Sequence, residues 1–329
     1  MPARNLIRIG TRGSALAVTQ TRWVAELLEA AGVVVEVRTI TTRGDAGARI
    51  PGVGPAGDGV FVRELEQALL AGEIDAAVHS LKDMPTAETP GLTLSCVPER
   101  ETPFDALVVR GGGTLAGLPA GAVVGTSSVR RVVQLKWLRP DLVVKPVRGN
   151  VDTRLRRLDA GDYDALVLAA AGLRRLGLGD RCGELLRPGD YWPAVGQGAL
   201  AVQTRAHDTR VRATLAPLDH PATHVAVLAE RACLAALAGG CLVPIGGWAR
   251  LDGTGRLGLG GCVVEQNGKT VRRIVAEEWA DAGDVPAGGG DSAPAAAVAL
   301  GTRVAERLRN QGADAMLARM RSRAAAENG

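Results

Sequence analysis

A cysteine lies at the centre of a run of small residues, where a thiol could carry chemistry. The run is Gly239-Gly240-Cys241-Leu242-Val243-Pro244-Ile245-Gly246-Gly247. Its glycines allow backbone angles that other residues avoid, and Pro244 removes an amide donor, so a regular helix is disfavoured there. Two interpretations stay open. Cys241 is a small apolar side chain in a turn, or its thiol is the attachment point for a bound group.

Asp83 is a second residue whose position could support chemistry. It follows the apolar residues 76–78, which are typical of a buried strand, and it lies beside Lys82 and just before Pro85. One interpretation is a carboxylate that caps a turn or a helix. The other is a carboxylate in a partly dry cleft, where it exchanges a proton or stabilises a developing cation.

Arginine accounts for 35 of the 39 basic residues. Genomic composition bias can produce such an excess, so only the placement of the arginines is informative. Several follow predicted strand ends, where helices begin: Arg12, Arg130, Arg131, Arg148, Arg154, Arg174 and Arg175. Guanidinium groups and helix N-termini both bind carboxylates and phosphates, so this placement predicts a cationic cleft.

Two stretches share a pattern that would position these groups. Residues 6–9 form a predicted strand, residues 10–14 a Gly-Thr turn ending in serine, and residues 15–31 an amphipathic helix. Residues 122–131 repeat the order of strand, Gly-Thr turn, serine and helix. The repeat indicates two α/β domains, each with an anion-binding helix end, and the alternation of strands and helices favours parallel sheets.

The last third of the chain changes character. A helix is predicted over residues 221–237, then strands over residues 248–251, 257–264 and 270–275, joined by Asp-Gly and Asn-Gly turns. A single helix is predicted over residues 295–320, with a frayed tail after Arg321. This order is typical of a small α+β domain.

Composition and spacing exclude several functional classes. The 329 residues contain no long apolar run and no leader-like start, so we expect a protein that is neither membrane-spanning nor exported. Five scattered cysteines and four histidines show no disulfide or zinc-ligand spacing. The basic pI near 9.0 comes from dispersed arginines with few aromatic residues, which disfavours nucleic-acid binding. A non-catalytic two-domain anion-binding protein stays an alternative to an enzyme.

Six segments together resemble the porphobilinogen deaminase (hydroxymethylbilane synthase) family over nearly the whole chain. They are T-R-G-S at 11–14, V-H-S-L-K-D-M-P at 78–85, V-G-T-S-S-V-R-R at 124–131, V-R-G-N-V-D-T-R-L at 147–155, P-A-V-G-Q-G-A-L at 193–200 and G-G-C-L-V-P-I-G at 239–246. The resemblance implies two α/β domains like those of type II periplasmic binding proteins, plus a small C-terminal α+β domain. The implied boundaries are 1–99 with 199–217, 104–194, and 220–329.

The resemblance also implies the activity and its cofactor. A dipyrromethane would be attached to Cys241 through a thioether, and four porphobilinogen molecules would be added head to tail with loss of ammonia. Hydrolysis would release hydroxymethylbilane for tetrapyrrole and haem biosynthesis, and the product would pass to uroporphyrinogen-III synthase. A cytoplasmic, monomeric transferase without a metal ion follows from the same resemblance.

Site residues are implied in the same way. Asp83 would be catalytic, pairing with pyrrole N–H groups and stabilising the cation formed when ammonia leaves. The implied cofactor-binding residues are Cys241, Lys82, Asp83, Thr126, Ser127, Ser128, Arg130, Arg131, Arg148 and Gly149. The implied substrate-binding residues are Arg12, Ser14, Arg148, Arg154, Arg175 and Gln197. Two positions depart from the family pattern: Asp58 stands where a basic residue is usual, and Phe104 where arginine is frequent.

Overall fold

The chain forms two compact units in a computed structural model. The structure describes residues 6–41, 62–237, 243–268, 270–280 and 293–328, with side chains described as far as residue 323. The first unit comprises Met1–Glu101 and Ala199–His224, and the second comprises Thr102–Gly198 and Val225–Gly329. Cys241 and the loop that contains Asp58 lie outside the described residues.

The strands, in chain order, are β1 (Leu6–Arg12), β2 (Val34–Ile40), β3 (Ala76–Ser80), β4 (Leu92–Cys96), β5 (Asp105–Val109), β6 (Val123–Gly125), β7 (Val143–Lys145), β8 (Ala165–Ala169), β9 (Glu184–Leu186), β10 (Leu200–Arg205), β11 (Ile245–Leu251), β12 (Leu257–Asn267) and β13 (Thr270–Trp279). The helices are α1 (Ala15–Ala30), α2 (Arg63–Leu70), α3 (Val129–Leu138), α4 (Val151–Asp159), α5 (Ala170–Arg175), α6 (Thr209–Leu215), α7 (Pro221–Ala236), α8 (Ala293–Asn310) and α9 (Ala313–Asn328).

Two sheets share one topology. The sheet of the first unit has the order β2-β1-β3-β10-β4, and one sheet of the second unit has the order β7-β6-β8-β5-β9. In both, the first three strands are parallel and the last two run antiparallel to their neighbours. The expectation of parallel sheets holds for three strands of each sheet and is wrong for the other two, because β10 and β5 run opposite to both of their neighbours. The edge strands β4 and β9, which pair with them, are not revealed by local alternation. The α/β fold class is confirmed.

The repeated Gly-Thr turns occupy equivalent places in these two sheets. Gly10 lies in β1 and Gly125 ends β6, and both strands are second in their sheet order. A methyl group at Gly10 would overlap Ile74, and one at Gly125 would lie 2.5 Å from Leu166 Cδ2. Close packing therefore favours glycine at both positions, because a larger side chain would have to displace buried Ile74 or Leu166.

Apolar side chains fix the helices against both sheets. Val24 and Leu28 of α1 pack with Ile7 and Ile9 of β1 in the core of the first unit. In the second unit, Leu135 of α3 joins the core on one face of the sheet. Leu155 and Leu158 of α4 join a separate core that also contains Leu166 and Leu168 of β8. Because the sheet is covered on both faces, the sequences of its central strands are nearly continuous runs of apolar residues.

The C-terminal region is α+β, as predicted, with longer strands than expected. β11, β12 and β13 form an antiparallel sheet, and α8 contacts β12 and β13. The prediction of a single helix over residues 295–320 is wrong: α8 and α9 are separate, and Gly312 between them has a φ of 99°. The expected frayed tail is also corrected, since α9 continues to Asn328.

Phe104 is accommodated by aromatic and cationic neighbours of its own unit. Its ring lies edge-on to Trp248, with 5.3 Å between centroids, and the Arg187 guanidinium lies 4.9 Å from its centre. Arg250 in turn lies over both Trp248 and Trp279. An arginine at position 104 would place a like charge beside Arg187, so the aromatic residue suits this local environment.

His79 is a buried histidine on β3. Burial lowers the pKa of its imidazole to about 4, although the side chain of Gln203 acts to raise that pKa. Nε2 of His79 has no hydrogen-bond partner in the part of the chain that the structure describes. The folded protein therefore keeps His79 neutral at a pH where the unfolded chain, with a pKa near 6.5, binds a proton.

This difference predicts a loss of stability on acidification. Because the unfolded state takes up the proton first, the contribution of His79 is fully present above pH 6.5 and falls as the pH drops towards 4. We expect the wild-type free energy of unfolding to lose about 2 kcal/mol more than that of His79→Gln between about pH 7.5 and about pH 5. Urea titrations at both pH values measure this. His207→Gln, at an exposed histidine, is the control; an equal acid loss in His79→Gln and wild type contradicts the prediction.

Candidate anion-binding and catalytic site

In the first unit, the predicted site residues lie at the carboxyl ends of two neighbouring parallel strands. Arg12 ends β1, and β1 pairs with β3, which leads directly into Lys82 and Asp83. Ser14 is the N-cap of α1, and its Oγ accepts a hydrogen bond from the amide of Ala17 at 3.3 Å. The structure therefore brings these four residues to one edge of the sheet, at the positive end of α1.

Asp83 is held by a short 3-10 turn, Leu81–Asp83. Buried Leu81 anchors the turn, and its amide donates to the carbonyl of Ala199 at 3.1 Å. The Asp83 side chain is half-buried, and among the described residues no hydrogen bond or ion pair reaches its carboxylate. A positioned carboxylate with open acceptor sites can take N–H donors from a ligand.

In the second unit, hydroxyl groups line the turn after β6. The Ser127 hydroxyl donates to the Val147 carbonyl at 2.8 Å and accepts from the Val147 amide at 3.1 Å. The Thr126 hydroxyl accepts from the Ser128 amide at 3.3 Å. Ser128 is the N-cap of α3, but its side chain does not cap that helix. Ser127 and Thr126 thus shape the turn, whereas the Ser128 hydroxyl is not used to cap α3.

Arg130 and Arg131 are buried around a single carboxylate. Each is 6% exposed and Asp105 is 0% exposed. Arg130 Nη2 lies 2.8 Å from Asp105 Oδ2, and Arg131 Nη2 lies 2.6 Å from Asp105 Oδ1. Burial opposes the ionisation of Asp105, but the charges and hydrogen bonds of both arginines outweigh it and lower its pKa to about 2. The contact that the structure shows for both arginines is thus internal, and their cofactor role stays a prediction.

Arg148, Gly149 and Arg154 lie at the end of β7 and the start of α4. Gly149 has a φ of 102°, and a methyl group there would lie 2.8 Å from Thr153 Cγ2, so glycine is required. Arg154 Nε donates to the Gly149 carbonyl at 2.8 Å. Within the described residues, no carboxylate lies within ion-pair distance of Arg148 or Arg154.

The protonated, charged form of Arg154 is destabilised in this arrangement. Its pKa is lowered, first by burial and then by the nearby charge of Arg131. The cluster of Asp105, Arg130, Arg131 and Arg154 contains one carboxylate and three guanidinium groups. An anionic ligand would relieve this excess of partly buried positive charge.

The remaining two predicted residues make internal contacts. Arg175 Nη2 donates to the Gly198 carbonyl at 2.7 Å. Gln197 is buried and donates to the Pro103 carbonyl at 2.8 Å and to Asp105 Oδ1 at 3.0 Å. The substrate role of both residues stays a prediction. The contact that the structure shows for Gln197 is its hydrogen bond to buried Asp105.

Asp105 itself was not selected from the sequence. The available signal was an acidic residue at the start of the apolar run 106–109, where a buried carboxylate needs partners. Its partners are distant in the chain, so only the fold reveals the pairing.

No group of three or more metal-ligating side chains occurs in the described part of the chain. No helix in the same residues is long and apolar enough to cross a bilayer.

Comparison with known proteins places the chain in a family. The family model for "Porphobilinogen deaminase, dipyromethane cofactor binding domain" matches residues 7–213, and the model for "Porphobilinogen deaminase, C-terminal domain" matches residues 224–310. A solved periplasmic substrate-binding protein of an ABC transporter from Coxiella burnetii is 16% identical, with 64% of this chain and 91% of that chain covered and a TM-score of 0.40.

Curated relatives are similar over almost their full length. Porphobilinogen deaminase of Roseiflexus castenholzii is 49% identical over 318 residues, which is 96% of this chain and 99% of the relative. The enzyme of that name from Thermus thermophilus is 46% identical over 318 residues, with 96% and 99% covered. On these matches, the chain belongs to the porphobilinogen deaminase family.

Proposed function

We propose that the protein is a hydroxymethylbilane synthase, which condenses four porphobilinogen molecules head to tail with loss of ammonia. The observation that supports this most is the uncompensated charge around Arg154, next to exposed Arg148 and close to the Asp105 cluster. Porphobilinogen carries acetate and propionate groups, so a growing chain of them is a polyanion. Guanidinium groups without internal carboxylates suit such a ligand.

A dipyrromethane cofactor fits the residues of the second unit. Its carboxylates need cationic or amide donors, and Arg148, Arg154 and the uncapped start of α3 at Ser128 offer them. We propose that Arg148 and the start of α3 hold the cofactor carboxylates, that Arg154 binds substrate carboxylates, that the buried Arg130 and Arg131 reinforce the positive potential, and that Cys241 anchors the group through a thioether. When bound, the cofactor supplies the pyrrole carbon to which the first substrate unit is added.

Asp83 is proposed to act on the pyrrole units themselves. Its half-buried carboxylate, with no acceptor site used by a described residue, can accept pyrrole N–H hydrogen bonds. The same negative charge would stabilise the cation that forms when ammonia leaves, since electrostatic stabilisation is strongest in a partly desolvated site. At the same sheet edge, Arg12 and Ser14 are proposed to bind substrate carboxylates, and Lys82 a cofactor carboxylate.

Further features of the proposal come from the family resemblance. The protein would consist of three domains, act as a monomeric cytoplasmic transferase in porphyrin biosynthesis, and deliver its product to uroporphyrinogen-III synthase. Arg175 and Gln197 are retained in this proposal as residues that border the substrate site.

Intact mass tests the function directly. We expect the purified protein to exceed its sequence mass by one dipyrromethane, and Cys241→Ser to show the plain sequence mass and no turnover. Cys182→Ser, at a half-buried thiol elsewhere in the second unit, should keep the added mass. A wild-type protein of plain mass that stays inactive after supply of preformed tetrapyrrole would instead favour a non-catalytic anion-binding protein.

Asp83→Asn separates chemistry from cofactor binding. The amide keeps the size of the side chain but removes the charge that would stabilise the developing cation. We expect a folded protein with the added mass of the cofactor and a kcat lower by at least about 100-fold. Single-turnover kinetics with porphobilinogen measures this loss, and near-normal turnover would remove Asp83 from the mechanism.

Arg154→Gln tests the role of the uncompensated guanidinium. Loss of a charge-assisted hydrogen bond to a carboxylate costs about 1.5–3 kcal/mol, so we expect KM to rise by about 10- to 100-fold. The melting temperature should not fall, because the partly buried charge is removed. Arg156→Gln, on the exposed face of the same helix, should leave KM unchanged; equal effects of the two substitutions would contradict the assignment.

A further inference from the structure

The backbone of Trp192 forms hydrogen bonds with side chains of one helix of the second unit. The Gln134 side chain accepts from the Trp192 amide at 2.7 Å and donates to the Trp192 carbonyl at 3.0 Å. The guanidinium of Arg130 donates to the same carbonyl. Both side chains belong to α3, the helix that starts at the Ser128 turn. The position of residue 192 is thus set by the helix that bears the Asp105-paired arginines.

The indole ring of Trp192 enters a groove in the C-terminal sheet. It is 3% exposed and packs with Val133, Cys262 and Val264. A methyl group at Gly260 of β12 would overlap the ring, and one at Gly246 of β11 would lie 2.5 Å from Trp192 Cβ. The glycines of these two strands therefore make room for this side chain.

The segment that follows Trp192 continues the attachment. The Pro193 carbonyl accepts from the Gly247 amide of β11 at 3.0 Å. Glu230 of α7, which is fully buried, accepts from the Gly196 amide at 2.7 Å and from the Ala249 amide at 2.9 Å. In sequence, Cys241 lies between α7 and β11, the two elements that Glu230 joins to this segment.

We propose that Trp192 is a positioning residue, which fixes α3 and its arginines relative to the C-terminal sheet that follows Cys241. The inference rests on the proposed function and adds a residue to it. If a group is attached at Cys241 and pairs with cations around α3, the attachment point and those cations must keep a fixed distance from each other. Displacement by about 1 Å of a binding group can cost up to about 100-fold in rate.

The test compares three variants of the complete protein. Trp192→Ala empties the groove, and Trp192→Phe keeps a ring there while removing an indole N–H that has no partner among the described residues. Leu142→Ala, at a buried leucine in the core of the second unit's five-stranded sheet, is the control for lost stability. The readouts are the fraction of protein carrying the cofactor mass, the melting temperature, and KM and kcat for porphobilinogen.

We expect Trp192→Ala to reduce the loaded fraction several-fold and to raise KM by about tenfold or more. Trp192→Phe should restore both to within about twofold of wild type. Leu142→Ala should lower the melting temperature without changing loading or KM. The inference is overturned if Trp192→Ala loads and binds normally, or if the two alanine variants lose loading in proportion to their stability.

Two further variants test the role of Trp192 if Trp192→Ala does not fold or if the cofactor is absent. If Trp192→Ala does not fold, Gln134→Met removes the side-chain bonds to the Trp192 backbone but keeps the ring in place, and the same outcomes apply. In Cys241→Ser, which lacks the attachment thiol, adding Trp192→Ala should speed amide exchange of residues 129–138 and 245–251 together. Unchanged exchange there contradicts the positioning role, whereas a wild-type protein of plain mass contradicts the proposed function.

Discussion

One buried carboxylate organises the second unit. Asp105 has no solvent contact and is held ionised by Arg130 and Arg131, with Gln197 as an additional donor. Removing one partner of such a cluster typically costs about 3–5 kcal/mol, because the remaining charges stay buried and unpaired. Through Arg130 the cluster reaches Trp192, and through Gln197 it reaches the segment that leads back to β10. Hydrogen bonds within the second unit therefore join the Asp105 ion pairs to the Trp192 segment and to Pro103.

The repeated sheet topology explains where the functional groups lie. In each sheet the second strand ends in a glycine-containing turn that leads to a helix N-terminus, so each offers an anion site at its carboxyl edge. The two edges differ in charge. The first combines cations with Asp83, whose carboxylate has no partner among the described residues, whereas in the second two guanidinium groups share Asp105 and a third, Arg154, feels the charge of Arg131. This difference in charge is consistent with the proposed roles, in which one edge stabilises a cation and the other holds a polyanion.

Much of this arrangement could be predicted from the sequence because it is local. Gly10 and Gly125 lie in closely packed strands, Gly149 is in a turn with a positive φ, and the Asn-Gly and Asp-Gly turns fix the hairpins of the C-terminal sheet. The antiparallel partners β4 and β9 were missed since pairing with distant strands has no local signature. Arg130 and Gln197 were predicted as ligand contacts, but their observed partners, Asp105 and the Trp192 segment, depend on contacts that only the fold creates. The division of α8 from α9 does not show in the apolar pattern, which continues across Gly312, whose positive φ ends α8.

We infer that Arg148 and Arg154 carry positive charge that no carboxylate among the described residues balances. A crystal structure of the protein loaded with cofactor and porphobilinogen tests this most directly, through the distances from the two guanidinium groups to the carboxylates of the pyrrole units. We expect carboxylate oxygens of the cofactor or of bound substrate within about 3 Å of both groups. Pyrrole carboxylates bound elsewhere, with both guanidinium groups facing solvent, would contradict this inference.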